Sequence, residues 1–400
     1  MIINNNKFVL INVLIIITAV TTFDKTFFLL SSTYIMVILL SVLIVNGVFK
    51  RSEELLYIKY REVPTLTFIF IILALLLVQL SYTRFQQLNI EFMKYFVIGL
   101  LTILVFKFLF VDNKKIVLFC KILIFSGFFI SLFTLISHFL YLSVGIDTDF
   151  IRVFRSYNIP RGVGLYENPN YYALTHVLTV GIILGLSKLN QIKLNKFYLM
   201  IILVVSSDLI LTFSRGALIA LVAIFFLYLI SNISQNKYTI KNLLYIVTTM
   251  LIVILVFYVL GPEFLQTIFY TQFLERLVDG FTRGSGRYDL WINGWYLYTN
   301  SIIHVVLGVG GNNFHMFSEY GITEAVHNSY LRYLYEMGII GFLSMVTYII
   351  YLIKRTVGRF FEILSPFFFP LIGVLIFAIT NDIIYIYEFW ILVACIIYWK

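Results

Sequence analysis

A histidine and two arginines at the starts of apolar runs are the residues best suited to do chemistry. His327 precedes an apolar run that begins at Ser329. The positive end of a helix and partial burial both disfavour a protonated imidazole, so we expect a neutral ring that can accept a proton. Arg215 opens another apolar run directly after Ser214, and Arg287 follows a Gly-Ser-Gly turn. Free helix N–H groups together with a guanidinium favour an anion such as a phosphate.

Each of these residues also has a structural interpretation, which the sequence leaves open. A histidine at a membrane boundary is often a hydrogen-bonded structural residue, and a Gly-Ser-Gly turn before an arginine is a weak phosphate signal. Arg332 and Glu336 have the i,i+4 spacing of a helical ion pair. Arg283, four residues before Arg287, is an alternative loop arginine.

Motifs for several other kinds of chemistry do not occur in the chain. There is no P-loop, which gives no support to ATP-driven export. The carboxylates lack the spacing of a metal-dependent glycosyltransferase. The only cysteines, Cys120 and Cys395, lie in apolar runs and predict neither a disulfide framework nor a cysteine metal site. We therefore expect no metal, no cofactor and no nucleic-acid partner.

The composition indicates that membrane helices position these residues. Of the 400 residues, 61% are hydrophobic and 12% are charged, against about one quarter charged in soluble domains. A helix crosses the hydrocarbon core in ~20 apolar residues. We therefore predict an all-α fold, a polytopic bundle of about 12 membrane helices. The apolar runs lie near 8–23, 27–48, 64–82, 90–111, 116–142, 170–186, 197–213, 216–230, 243–260, 329–353, 366–382 and 384–399.

Basic residues in the short connections predict the orientation of the bundle, because cytoplasmic loops carry the excess of Lys and Arg. With both termini in the cytoplasm, the inner connections hold Lys7, Lys50, Arg51, Lys59, Arg61, Lys114, Lys115, Lys188, Lys193, Lys196, Lys237, Lys241, Lys354, Arg355, Arg359 and Lys400. A medium loop at 143–169 and a large loop at 261–327 then lie outside. The predicted division is helices 1–9 in 1–260, a large extracytoplasmic loop with an amphipathic helix in 261–327, and helices 10–12 in 328–400.

The basic residues predicted to lie outside are almost all arginines. They are Lys25, Arg84, Arg152, Arg155, Arg161, Arg215, Arg276, Arg283, Arg287 and Arg332. Topology needs only positive charge, whereas a guanidinium grips phosphate with two parallel hydrogen bonds and does not lose its proton. This bias favours an enzyme that handles a lipid diphosphate, although arginine also suits structured loops and interfaces.

Four segments resemble a known family. The first is His327-Asn328-Ser329-Tyr330-Leu331-Arg332-Tyr333-Leu334-Tyr335-Glu336-Met337-Gly338-Ile339-Ile340-Gly341, the second Ser214-Arg215-Gly216-Ala217, the third Gly164-Leu165-Tyr166-Glu167-Asn168-Pro169-Asn170, and the fourth the run from Arg287 through Trp291 to Gly308, Gly310 and Gly311. In order and spacing they are similar to the O-antigen ligase and polymerase superfamily, the WaaL and Wzy proteins, over roughly residues 160–345.

The resemblance implies a GT-C-like fold and a metal-independent, inverting glycosyl transfer from an undecaprenyl-diphosphate-linked glycan. It implies catalytic roles for His327, Arg215 and Arg287. His327 would be the general base, and the two arginines would hold the diphosphate. Candidate substrate-binding residues are Arg161, Asn168, Asn170, Arg283, Trp291, Asn328 and Tyr330. Expected partners are lipid-linked oligosaccharides and membrane lipid, with a chain-length regulator and a flippase as further candidates.

Several activities remain open from the sequence. We expect a polymerase that joins oligosaccharide repeat units at the outer face of the bacterial cytoplasmic membrane in O-antigen, capsule or exopolysaccharide synthesis. A ligase would use the same residues with lipid A core as the acceptor. A transferase of the same superfamily would glycosylate protein side chains. A flippase or transporter is the non-enzymatic alternative, and the absence of a visible internal repeat counts against it.

Overall fold

The computed structural model describes residues 59–110, 112–146, 148–154, 159–232, 287–322, 324–358, 362–383 and 386–400. The helices predicted at 8–23, 27–48 and 243–260 lie outside the described residues. So do Arg283 and the first part of the predicted large loop.

The described chain is mostly helical. Its helices are α1 Val63–Gln79, α2 Gln86–Leu109, α3 Asn113–Val144, α4 Pro169–Lys188, α5 Lys196–Leu211, α6 Arg215–Asn232, α7 Arg287–Thr299, α8 Ile302–Leu307, α9 Ser329–Thr356, α10 Phe368–Phe377 and α11 Tyr387–Tyr398. Two single turns of 3-10 helix follow α8, at Phe314–Met316 and Ser318–Tyr320. Each predicted span that falls on described residues coincides with one of these helices, so apolar run length located them correctly.

Five of these helices, α2, α3, α4, α6 and α9, are long and apolar enough to cross a membrane. The apolar helices α1, α10 and α11 are shorter. At about 1.5 Å per residue, the 10 residues of α10 and the 12 of α11 fall well short of the ~30 Å hydrocarbon core. A mostly helical membrane protein is therefore confirmed, whereas the number of spans stays a prediction.

One short sheet departs from the predicted all-α class. Strands β1, Ile151–Phe154, and β2, Ile159–Gly162, pair antiparallel between α3 and α4, with Arg152 opposite Arg161. The β-branched residues of Ile151-Arg-Val in β1 favour an extended chain. The sequence predicts a loop at 143–169, since a strand of four residues is too short to give a clear period-2 pattern.

The chain forms two compact units. The first is drawn from residues 1–122, 287–368 and 378–400, and the second from 123–286 and 369–377. In the first unit α9 packs on α1, and α11 packs on α2, around the rings of Phe68, Phe96 and Trp390. In the second unit α4 packs against α5 and α6. Helix α4 is the most enclosed of the five long apolar helices, with 83% of its apolar window buried.

Helix α7 and the segment that follows it have a small core of their own. Buried Leu297, Tyr298, Val309, Phe314, Ile322, Val326 and Tyr335 form that core, against which Leu290 and Trp291 pack. The opposite face of α7 exposes Ile292, Trp295 and Tyr296. The predicted loop helix is thus confirmed as a helix, and its apolar residues divide between this core and the surface.

Candidate functional site

In the first unit, His327 lies one residue before the N-cap of α9. Its backbone has a φ of 53°, a conformation that is uncommon for a residue with a Cβ. The carboxylate of Asp382 stabilises this turn. Its Oδ2 accepts the N–H of His327 at 3.2 Å, and its Oδ1 accepts the N–H of Asn328 at 3.1 Å. The turn directs the chain into the helix while the imidazole remains 38% exposed.

The first turn of α9 is capped by Asn328. Its side-chain oxygen accepts the N–H groups of Tyr330 and Leu331 at 3.0 and 3.1 Å. The hydroxyl of Ser329 donates to the carbonyl of Asn381 at 2.7 Å. The side chain of Asn328 therefore binds backbone at the start of α9, and its predicted role in substrate binding stays a prediction, as does that of Tyr330.

The electrostatic surroundings of His327 favour a neutral ring. Burial lowers the pKa of His327 below its ordinary value of 6.5. The carboxylates of Asp382 and Glu324 raise this pKa, and the guanidiniums of Arg287 and Arg332 lower it, with burial as the largest influence. The direction expected from the sequence is confirmed, and burial, one of the two causes named there, is the largest influence.

Helix α7 brings two further candidate residues to this unit's site. Arg287 begins the helix, and one of its guanidinium nitrogens donates to the carbonyl of Thr380 at 2.9 Å. Thr380 precedes Asp382, the residue that stabilises the turn at His327. The indole N–H of Trp291 donates to the carbonyl of Val326, the neighbour of His327, at 2.9 Å. Arg287 and Trp291 therefore both attach α7 to the backbone around the histidine.

A buried charge network lies directly behind this turn. Arg332 donates to Glu336 at 2.9 Å and to the side-chain oxygen of Asn312 at 2.9 Å, and lies 3.6 Å from Asp382. Its guanidinium also stacks over the ring of Phe92 at 5.1 Å. The pairing of Arg332 with Glu336, one of the structural alternatives, is confirmed. Arg332 is 6% exposed and Glu336 is 2% exposed. The charge network therefore lies in the protein interior, next to the turn at His327.

Helix α9 is broken at Gly338, whose φ of 64° and ψ of −173° are not helical. The break leaves the carbonyls of Tyr335 and Glu336 without helical partners. They accept instead the N–H groups of Val309 and Gly310 at 2.9 and 3.1 Å. In a membrane helix such freed groups must find partners within the protein. The predicted Gly308–Gly311 stretch therefore supplies backbone donors to a broken helix.

In the second unit, the predicted residues gather where β2 and α4 meet the turn before α6. The Nε of Arg161 donates to the carbonyl of Thr212 at 2.7 Å, and one of its terminal nitrogens donates to Asn170 at 3.5 Å. Asn168 caps α4 by accepting the N–H of Asn170 at 2.8 Å. Arg215 is the first residue of α6, three positions beyond Thr212.

The structure thus places the predicted residues in two groups, one in each unit. The first group holds His327, Arg287, Trp291, Asn328 and Tyr330. The second holds Arg161, Asn168, Asn170 and Arg215.

Sequence reasoning missed two carboxylates. Asp382 and Asp208 each lie alone inside or at the end of an apolar run, and a lone acidic residue there was the signal that could have found them. Among the described residues, no group of three His, Cys, Asp or Glu side chains is arranged to hold a metal ion.

The comparison with protein families identifies part of the chain. Residues 198–346 match a family described as O-antigen ligase. This segment contains Arg215, Arg287, His327 and the break in α9 at Gly338. No curated protein matches the chain. The match confirms the resemblance for the motifs that lie within it, and residues 198–346 of this mostly helical membrane protein are therefore similar to the O-antigen polymerase and ligase superfamily.

Proposed function

We propose that the protein is a glycosyltransferase that polymerises lipid-linked oligosaccharide repeat units at the outer face of the bacterial cytoplasmic membrane. The donor is the growing chain on undecaprenyl diphosphate, and the acceptor is a hydroxyl of a single lipid-linked repeat unit. The observation that carries this proposal is the partly exposed imidazole of His327, whose pKa burial lowers, with Arg287 in the same group of residues, inside a segment that matches the O-antigen ligase family.

In the proposed reaction His327 is the general base. It takes the proton from the acceptor hydroxyl as that oxygen attacks the anomeric carbon of the donor sugar. The bond from the anomeric carbon to the phosphate oxygen breaks on the opposite face, so the configuration inverts. The undecaprenyl diphosphate leaves with the electron pair of that bond, and the proton remains on His327 until water removes it.

Negative charge grows on the diphosphate during this step, and guanidiniums can stabilise it. We assign this role to Arg287 on the strength of its position near His327, and to Arg215 on the strength of the family resemblance. Helix α7 exposes Trp295 and Tyr296. Aromatic side chains of this kind suit contact with sugar rings or with the membrane interface.

A ligase is the second candidate, because the matched family is described as O-antigen ligase and the match is compatible with either activity. A ligase would use the same donor and the same base, but it would transfer the finished glycan to lipid A core. The chemistry at His327 would be the same, so product analysis must distinguish the two activities.

The test is a ladder gel of surface polysaccharide from cells whose only copy of the gene carries His327→Ala. We expect the ladder to collapse to a single repeat unit that still reaches its usual surface anchor. His315→Ala is the matched control, because His315 is a histidine in the same segment, outside the proposed site; it should leave the ladder unchanged.

The other outcomes decide between the alternatives. Full-length polymer that stays on the lipid carrier in the His327→Ala cells would establish a ligase. A normal ladder with normal attachment would rule out His327 as the base and return the transporter to consideration.

A further inference from the structure

A fully buried carboxylate lies beneath the second group of predicted residues. Asp208, on the last turn of α5, is 0% exposed. Its Oδ2 accepts the hydroxyl of Tyr172 at 2.5 Å and lies 2.9 Å from Nε2 of His176, both on α4. An ionisable residue buried among membrane helices is costly, and such residues are usually paired and functional.

The hydrogen-bond partners of the two ring nitrogens of His176 indicate how many protons His176 and Asp208 hold together. Nδ1 of His176 lies 2.9 Å from the carbonyl oxygen of Tyr172, which can only accept, so Nδ1 carries a proton. Nε2 then faces Oδ2 of Asp208, and a hydrogen bond there requires another proton. Whether that proton lies on the imidazole or on the carboxyl, the pair holds one proton more than a carboxylate and a neutral ring.

The β-hairpin rests directly on this pair. A Cβ added at Gly162 would lie 3.5 Å from Oδ1 of Asp208 and 3.4 Å from the ring of His138. A Cβ at Gly164, which has a φ of +54°, would overlap the ring of Tyr172. Strand β2 therefore lies within van der Waals distance of the pair at Gly162, the neighbour of Arg161. At Gly164, just after the strand, only a residue without a side chain avoids the ring of Tyr172.

The turn that leads to Arg215 is attached to the same place. The N–H of Thr212 donates to the backbone carbonyl of Asp208 at 3.2 Å, and the N–H of Ser214 donates to the hydroxyl of Thr212 at 3.2 Å. Arg161 donates to the carbonyl of Thr212. Arg161 and Arg215 thus both depend on the geometry around Asp208.

We propose that Asp208 and His176 are positioning residues, and that the proton they share fixes the β-hairpin and the turn before α6 so that Arg161 and Arg215 can bind a lipid diphosphate. This inference rests on the proposed function. Loss of the hydrogen bond between His176 and Asp208 would leave the buried carboxylate with fewer partners. It would thereby disturb both arginines without any change at the arginines themselves.

The groups that face the pair belong to three elements. Helix α4 contributes Tyr172. Helix α3 contributes His138, whose ring nitrogens face the carbonyls of Thr134 and Pro160 at 3.2 and 3.4 Å, and the hydroxyl of Thr134, 2.9 Å from that of Tyr172. Strand β2 contributes backbone at Gly162.

The experiment measures binding of undecaprenyl diphosphate to the full-length protein in lipid nanodiscs. His176→Leu removes the hydrogen bond to Asp208, whereas His176→Gln keeps an amide donor that cannot titrate. We expect His176→Leu to weaken binding at least ~10-fold, the equivalent of one 1.4 kcal/mol step, and His176→Gln to bind like the wild type. Ser206→Ala is the matched control, since Ser206 is buried on α5, two residues before Asp208, and its hydroxyl has no hydrogen-bond partner.

Melting curves of both variants in the same nanodiscs provide a second measurement. A His176→Leu variant that melts close to the wild type but binds weakly would show that the loss comes from positioning and not from unfolding.

Arg215→Ala separates failure of this inference from failure of the proposed function. If Arg215→Ala binds the lipid diphosphate normally, the proposed function is wrong for this unit. If Arg215→Ala loses binding while His176→Leu binds normally, the inference alone is overturned. Equal losses in the leucine and glutamine variants would overturn the role of the shared proton.

Discussion

The two units hold polar side chains at helix ends in different ways. In the first unit a buried cation, Arg332, contacts two carboxylates, Glu336 and Asp382, so the interior charges compensate one another. In the second unit one buried carboxylate, Asp208, is met by a tyrosine hydroxyl and a histidine ring. The first arrangement depends on pairs of opposite charges, and the second on hydrogen bonds between one carboxylate and two neighbouring side chains.

This difference separates the arginines into two kinds. All those predicted to lie outside were candidates for binding phosphate on composition alone. The contacts of Arg332 and its 6% exposure make it a structural cation. Arg287 attaches to backbone and lies beside a partly exposed histidine. Arg332 is therefore a support by its contacts and its burial, whereas Arg287 is a candidate ligand by its position beside His327.

The largest effect should come from breaking the charge network. Arg332→Met would leave two buried carboxylates unpaired, and removing one partner of a buried ion pair costs about 3–5 kcal/mol. We expect a large drop in the melting temperature and in folded yield, measured by thermal unfolding of the purified protein in detergent.

The control for this substitution is Arg84→Met in the same unit. Arg84 pairs with Glu319 at 2.6 Å, but the two side chains are 52% and 49% exposed. An exposed pair contributes about 0–1 kcal/mol, so this variant should melt close to the wild type. Equal losses in the two variants would show that the network is not the support we describe.

The sequence predicted the helices well, because run length and hydropathy are local properties. Helix α9 was expected at 329–353 and occupies Ser329–Thr356. The break at Gly338 was not predicted. Gly338 and Gly341, three positions apart, are equally consistent with a close contact between helices. The groups that bind the broken turn, the N–H groups of Val309 and Gly310, lie some 25 residues earlier in the chain.

The same contrast between local patterns and distant contacts explains why the candidate site was predicted only in part. His327 and Arg287 follow local helix-start patterns. Asp382, which stabilises the turn at His327, is 55 residues away in sequence. A contact of that kind has no local pattern, and only the packing of the fold brings the two residues together.

A second prediction concerns the broken helix. A Cβ at Gly308, which has a φ of +83°, would overlap the carbonyl of Glu336. We expect Gly308→Ala to cost at least about 1–3 kcal/mol, the strain of one disallowed backbone conformation, and to lower the melting temperature. Gly145→Ala is the control, since Gly145 also has positive φ but no atom within 4 Å of the added carbon. If both variants melt alike, steric exclusion at the break is not important.

A third prediction tests whether the network positions the base. Asp382→Asn keeps the size of the side chain but loses the charge opposite Arg332. Displacement of a catalytic group by about 1 Å can cost up to ~100-fold in rate, so we expect kcat for polymerisation to fall by about 10–100-fold with little change in donor binding. Glu319→Gln, at the exposed pair, should leave kcat unchanged. A fall in donor binding with normal kcat would contradict the assignment.

The smallest effect should be a shift in pH dependence. A general base works in its neutral form, so activity is lost as the pH falls through the pKa of His327. Burial holds that pKa below 6.5, and Glu324, 3.9 Å from the imidazole, raises it somewhat. Glu324→Gln removes that contribution, so the acid limb of the activity profile should move to lower pH.

The shift should be small because Glu324 is 68% exposed. An exposed pair contributes at most about 1 kcal/mol, and one pKa unit corresponds to about 1.36 kcal/mol. We therefore expect a shift of less than ~0.7 unit. The His176→Gln variant of the second unit should not move this acid limb, since its proton belongs to a different pair. An acid limb that moves upward in Glu324→Gln would mean that His327 is not the group that titrates.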